Sequence, residues 1–207
     1  MTGKTAFLRA VNVSRETSER LDLYEQLLKK WNVAINLVSQ RSVEQIWERH
    51  FLDSAQIFEL ADGNAVSWVD IGSGGGFPGL VIAIMAAEKR HNLKVTLVES
   101  DRRKAAFLTT AVLALKLDVV VKADRAEAIP RANCDILSAR ALAPLSDLLG
   151  FADRHLAPNG ACLFQKGARW REELAEARKS WSFSVEDHPS LTDGDAVILK
   201  LKDLSHA

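Results

Sequence analysis

The sequence predicts a parallel, doubly wound α/β fold, with a helical segment in front of it and an antiparallel hairpin at its end. Three observations predict it. Residues 66–84 read as strand, glycine-rich loop and helix; β-rich and helical stretches alternate from there onward; and the last two β-rich stretches are joined by a short loop at residues 192–195.

The helical segment comes first. Residues 14–32 place Leu21, Tyr24, Leu28 and Trp31 at helical spacing, with Leu23 and Leu27 beside them, which predicts an amphipathic helix. A second helix is expected over residues 43–60: Ser42 and Gln45 have capping-box spacing, and Ile46, Phe51, Ile57 and Leu60 are its apolar positions. Residues 1–62 therefore read as a helical extension that covers one edge of the core and narrows the site. Residues 63–207 read as the sheet domain, packed with the extension as a single globular unit.

Strand one, residues 66–71, runs into Gly72, Gly74, Gly75, Gly76 and Gly79, and a helix follows. Residues 94–99 are strand two. Asp101 opens a helix with Arg102, Arg103 and Lys104 in its first turn, where cations oppose the helix dipole; they mark either a solvated face or a surface that meets phosphate. Residues 118–122 form strand three, with Ala126 and Glu127 after it. Strand four, residues 134–139, ends at Arg140, and Pro144 starts the next helix. Pro158-Asn159-Gly160 turns the chain into strand five, residues 161–166; a helix near 172–180 and strands near 183–186 and 196–202 finish the fold.

The loop itself constrains the ligand. Gly74-x-Gly76-x-x-Gly79 matches the dinucleotide fingerprint, with Glu99 about as far on as a ribose-binding acid should be. Two residues argue against a diphosphate. Asp70 stands at the ligand-binding end of the strand with the wrong charge, and Pro78 removes one N–H from the helix start. S-adenosylmethionine carries an ammonium and a sulfonium at one end and two ribose hydroxyls at the other, which suits Asp70, the glycines and Glu99. A nicotinamide-dependent oxidoreductase and a non-enzymatic RNA or assembly module are the alternatives; retention of both acids argues against the module.

Composition narrows the setting. Apolar content of 47% and charged content of 26% are those of an ordinary globule. With 27 basic and 27 acidic residues there is no global field toward nucleic acid or lipid, so any RNA contact must come from local patches. The longest apolar run, residues 80–87, is too short to span a bilayer, and residues 1–12 lack the apolar core of a signal peptide, so no membrane role and a cytoplasmic location are expected. Cys134 and Cys162 fall in strands as small hydrophobes, and no histidine or cysteine cluster suggests a metal. No long apolar stripe demands a partner, and a monomer is expected.

With these pieces placed, the chain resembles the bacterial 16S ribosomal RNA guanine-N7 methyltransferases of the glucose-inhibited division protein B family over about residues 21–200. The resemblance is carried by Trp31-Asn32 with Asn36-Leu37-x-Ser39, by Arg49-His50-x-Leu52-Asp53-Ser54, by Asp70-Ile71-Gly72-Ser73-Gly74-x-Gly76-Phe77-Pro78-Gly79, by Ser138-x-Arg140-Ala141 and by Lys166-Gly167. It implies a class I methyltransferase fold that transfers a methyl group from S-adenosylmethionine to N7 of guanine 527 in 16S ribosomal RNA, within the small ribosomal subunit or its precursor. It further implies that Gly72 and Phe77 line the methionine and sulfonium side, that Ala126 and Glu127 border the adenine, and that Arg140 stands between cofactor and RNA. Asp70, Gly74 and Glu99 are added by the charge argument. Glu99 stands where relatives often carry Asp, and Leu142-Ala143-Pro144 and Phe164-Gln165 depart from the commoner Phe-Ala-Ser and Ala-Leu.

Guanine N7 has a lone pair and no proton, so in-line transfer needs alignment and no general base; no catalytic acid or nucleophile is expected. N7 lies in a groove that A-form RNA makes too deep and narrow for side chains, so the target must be splayed from its stack. Arg140 and Lys166, at carboxyl ends of strands, are candidates for guanine O6 or flanking phosphates; the alternative for Arg140 is a pair with Asp135 or Asp147. Arg102 and Arg103, with Lys104, are candidates for the RNA backbone. Trp170 either stacks on a base or, the preferred reading, packs in the core.

Overall fold

Apolar runs bounded by glycine and turn residues give the computed structural model, which describes residues 3–207, its strands. They are β1 (Ser67–Ile71), β2 (Lys94–Val98), β3 (Val119–Lys122), β4 (Cys134–Arg140), β5 (Leu156–Lys166), β6 (Trp181–Pro189) and β7 (Val197–His206). They form one seven-stranded sheet in the order β3-β2-β1-β4-β5-β7-β6. β1 to β5 are parallel, and β7 runs antiparallel to both β5 and β6. The order reverses between β1 and β4, so the carboxyl ends of those strands flank the switch point at which open α/β sheets bind ligands.

Alternation along β1 divides the core. Trp68 joins an apolar cluster on one face with Tyr24, Phe51, Ile82, Phe107 and Leu163, while Val69 joins Leu137, Leu149, Phe164 and Leu199 on the other. The first face is covered by α1 (Gly3–Ala10), α2 (Arg15–Asn32), α5 (Gly79–Lys89) and α6 (Arg102–Ala114); α7 (Leu145–His155) and α8 (Trp170–Ala177) cover the second. Ser14 caps α2 by accepting from Thr17 N at 3.1 Å. Asp101 caps α6 by accepting from Arg103 N at 2.8 Å and Lys104 N at 3.3 Å, which sets a negative charge against the three cations of that turn.

α5 starts where β1 and β2 crowd it. A Cβ on Gly79 would meet Leu97 Cδ2 at 2.4 Å and Asp70 Cβ at 2.6 Å. Gly79→Ala is therefore expected to destabilise the fold by about 1–3 kcal/mol through overpacking. Urea unfolding checks this, and an unchanged midpoint would mean that α5 can lift off the sheet freely.

The structure differs from expectation in the extension. α1 was not foreseen; its Phe7 is buried against Trp47, ring centroids 5.4 Å apart. The single helix expected over residues 43–60 is broken into α3 (Gln40–Val43), a π-helical turn (Trp47–Leu52), α4 (Asp53–Ala55) and a 3₁₀ turn (Phe58–Leu60). Its start is capped by Ser39, which accepts from Ser42 N at 3.3 Å, and not by Ser42. The wider π turn keeps Trp47 and Phe51 in the core while His50 and Asp53 reach the ends of β4 and β5. No helix of the described residues is long and apolar enough to cross a membrane.

Candidate active site

The glycine loop between β1 and α5 is shaped by its backbone. Gly72, Gly74 and Gly76 take φ of 65°, 56° and 94°, in the region that L side chains rarely adopt. Glu99, 7% exposed at the end of β2, accepts from Gly74 N at 2.7 Å and from Asp101 N at 2.8 Å. The Tyr24 hydroxyl donates to the Gly75 carbonyl, so α2 of the extension touches the loop directly.

Asp70 is fully buried beneath this loop. One carboxylate oxygen accepts from Ser138 Oγ at 2.6 Å and the other from Gly79 N at 3.2 Å, while Trp68 Nε1 donates to Ser138 Oγ at 2.8 Å. Burial pushes the Asp70 carboxyl up to about 6, against the opposing pull of its hydrogen bonds. Asp70 is expected from its charge to face a cationic ligand; it lies on the α5 side of β1, bonded to Gly79 N and Ser138 Oγ, and ties the loop to α5. Phe77 is likewise 3% exposed, stacked on His50 at 4.7 Å and Tyr24 at 5.4 Å, with the Arg140 guanidinium 5.0 Å from its ring centre.

Beyond β3, Ala126 is buried and its carbonyl lies 2.8 Å from His155 Nε2, while Glu127 is exposed beside Arg125. Gly72, Gly74 and Glu99 follow the carboxyl ends of β1 and β2, with Glu99 bonded to Gly74, and Ala126 and Glu127 follow β3 in the chain. A Cβ on Gly74 would meet nothing nearer than Gly72 O at 3.8 Å, so the floor in front of that residue is open. The open part of the floor is at Gly74, beside the Glu99 carboxylate, and fits an adenosyl group, while Gly72 is faced by the Leu142 side chain.

Next to the loop lies a cavity of about 750 Å³, lined by His50, Asp53, Arg140, Gln165, Lys166 and Thr192 among others. Arg140 pairs here with Asp53, at 3.1 Å, and reaches His50 Nδ1 at 3.0 Å. The expected partners Asp135 and Asp147 are elsewhere: Asp135 accepts from Ser67 N and Oγ at the start of β1, and Asp147 is exposed on α7. Asp53 also accepts from Gln165 Nε2 at 2.8 Å, Gln56 Nε2 at 2.9 Å and Thr192 Oγ1 at 3.1 Å, which ties α4, β4, β5 and the β6–β7 loop together.

The other basic candidates are dispersed. Lys166 lines the cavity, but its side chain is 9% exposed and its charge is met by Glu173 at 2.6 Å, so it is a less available anion contact than the sequence suggests. Arg102 and Arg103 sit on the exposed start of α6, bordering two smaller hollows and not this cavity. Trp170 is half-buried against the second apolar cluster, with Arg171 4.1 Å over its ring, in accord with the core reading. Sequence reasoning missed Tyr24, His50, Asp53 and Gln165 as site residues. For Asp53 the signal was present, since ions at residues 49, 50 and 53 interrupt an otherwise apolar helical pattern.

A loop of left-handed glycines held by the carboxylate closing β2, at the switch point of a mostly parallel sheet, makes this an S-adenosylmethionine-dependent methyltransferase. Solved structures share the fold: a putative O-methyltransferase from Klebsiella pneumoniae at TM-score 0.59 and 13% identity, covering 95% of this chain and 94% of that one, and a SAM-dependent methyltransferase from Aquifex aeolicus at TM-score 0.58 and 15% identity, covering 86% and 97%. The family described as rRNA small subunit methyltransferase G, GidB, matches residues 17–198. The ribosomal RNA small subunit methyltransferase G of Ruegeria sp. (strain TM1040) is 54% identical over 193 residues, 93% of each chain, and that of Paracoccus denitrificans is 47% identical over 198 residues, 95% of this chain and 100% of that one. The chain belongs to this family.

Proposed function

We propose that this protein methylates N7 of guanine 527 in 16S ribosomal RNA, acting as a monomer in the cytoplasm on the small subunit or its precursor. The observation that carries this reading is the cavity of about 750 Å³ beside the glycine loop, lined by both charged and apolar residues, with Arg140 in its wall and 5.0 Å from the Phe77 ring of the loop. Gly72, Gly74, Glu99, Ala126 and Glu127 hold the cofactor; Asp70 and Phe77 act on it through the loop they support. Residues 1–62 and 63–207 work as one unit, since α2 contributes Tyr24 to the loop and α4 contributes Asp53 to the cavity.

Bound S-adenosylmethionine supplies an electrophilic methyl: the N7 lone pair forms the new N–C bond as the C–S bond breaks onto sulfur, and no proton moves. The residues therefore need only orient the base and exclude water. The methylated guanine carries a positive charge, and the Arg140 guanidinium at the cavity is held in an ion pair with Asp53, which limits its repulsion of that charge. A nicotinamide diphosphate is disfavoured because Gly79 N–H, at the start of α5, already donates to Asp70.

Transfer of labelled methyl from S-adenosylmethionine to small subunits lacking this modification tests the reading. Labelled 7-methylguanosine in the digested 16S RNA is the expected product. Cofactor binding without transfer would point to another acceptor.

A further inference from the structure

Two buried side-chain atoms without a hydrogen-bond partner, His50 Nε2 and Gln165 Oε1, belong to residues lining the same cavity. Both atoms are closed off as they stand and are costly to leave unmet, so two of them on residues lining one cavity call for a ligand whose entry opens and meets both.

Their polarities are set by charged neighbours. Arg140 can only donate, so its Nη2, 3.0 Å from His50 Nδ1, makes Nδ1 the acceptor and leaves the proton on Nε2. Burial, with Arg140 and then Arg49 nearby, pushes His50 down to about 3, which keeps the ring neutral. Gln165 lies 2.8 Å from both the carbonyl and a carboxylate oxygen of Asp53; two acceptors there require its amide nitrogen, which turns Oε1 away. The Arg140–Asp53 ion pair thus orients both groups, giving the cavity one neutral donor and one neutral acceptor.

We propose that His50 and Gln165 read the Watson–Crick edge of the flipped guanine, His50 Nε2–H donating to O6 and Gln165 Oε1 accepting from N1–H. This rests on the guanine reading above. Adenine and 2,6-diaminopurine present the opposite pattern, an amino donor at position 6 and an acceptor at N1, so they would set donor against donor and acceptor against acceptor. Neither contact touches N7, which stays free for transfer. Neutral readers also add no positive charge next to a base that becomes cationic.

The test uses small subunits carrying guanosine or 2,6-diaminopurine riboside at the target position, with His50→Phe, His50→Gln and Gln165→Met. Phe keeps the stacking on Phe77 without the donor; Gln restores an acceptor for Arg140 and a donor for O6. His50→Phe and Gln165→Met are expected to lower kcat/KM on guanosine subunits by about 10- to 100-fold and to narrow the preference over diaminopurine by a similar factor. His50→Gln is expected to recover most of the loss, and S-adenosylmethionine affinity measured by calorimetry is expected to stay within about twofold for Gln165→Met, whose bonds go to Asp53, and for His50→Phe, which keeps a ring stacked on Phe77. An equal fall on both substrates, or His50→Gln as impaired as His50→Phe, would overturn the assignment. If His50→Phe fails to fold, Gln165→Met on β5 decides it by the same ratio. Wild-type enzyme that leaves guanosine subunits unmethylated would instead defeat the reading on which the pair rests.

Discussion

Asp70→Ala is expected to weaken S-adenosylmethionine binding by about 100-fold or more and to destabilise the fold by about 2–4 kcal/mol. The carboxylate is the acceptor for Ser138 Oγ and Gly79 N, so its removal strands one buried hydroxyl proton and one backbone N–H and leaves a void under the loop. The left-handed turns at Gly72, Gly74 and Gly76 then lose their anchor to α5. Calorimetry showing undiminished cofactor affinity would refute the anchoring role. Asp70 also gives a pH signature. Burial raises its carboxyl from the ordinary value of 3.8 to about 6 in the folded protein, so the native state holds the proton more tightly than the unfolded state. Its contribution is fully present below the unfolded value, is lost as pH rises through about 6, and amounts to about 3 kcal/mol. Asp70→Asn has no such dependence; its stability relative to wild type should rise between pH 4 and 6 and level off above. Urea unfolding at stepped pH measures this, and a constant difference across that window would rule it out.

What the sequence made legible depended on where the determining forces lie. The glycine loop could be read because left-handed φ at Gly72, Gly74 and Gly76 is a local demand of the backbone. β1 and β4 were read because their residues are buried in near-continuous runs, and β2 because Val95, Leu97 and Val98 are its buried apolar positions. Ser14 and Asp101 were placed at helix starts by position alone, and each accepts the expected backbone bonds. The break between residues 40 and 60 was not legible, because Trp47 takes its place against Phe7 of α1, which contributes only that one buried residue. The Arg140–Asp53 pair lies further still beyond local reading: its members are 87 residues apart, and only the approach of α4 to the end of β4 brings them together. The inward turn of Asp70 was open to inference, since it shares the β1 face of Trp68; the charge of the proposed ligand outweighed that parity.

Arg140→Ala is expected to lower the methyl-transfer rate by about 100-fold while costing only about 1–3 kcal/mol of stability. The low folding cost follows from what remains around its partner. Asp53 keeps Gln165 and Gln56 amide donors and the Thr192 hydroxyl, so removing the guanidinium does not strand a bare carboxylate. The larger kinetic cost follows from position. Arg140 ties Asp53 and His50, neighbours on one helical stretch, to the end of β4 and rests on Phe77 of the glycine loop, so it holds the cavity-lining groups in register with the loop. Arg140→Lys separates charge from geometry: an ammonium replaces the cation but lacks the planar fork that reaches Asp53 and His50 together. It should melt close to wild type and still transfer slowly in single-turnover assays on saturating subunits. Were Lys to restore the rate, charge alone would suffice and the fork would be dispensable. Were melting temperature and rate to fall together in both variants, Arg140 would serve as a pin between the extension and the sheet, and the orienting role would pass to Asp53, the one group bonded to all four segments at the cavity.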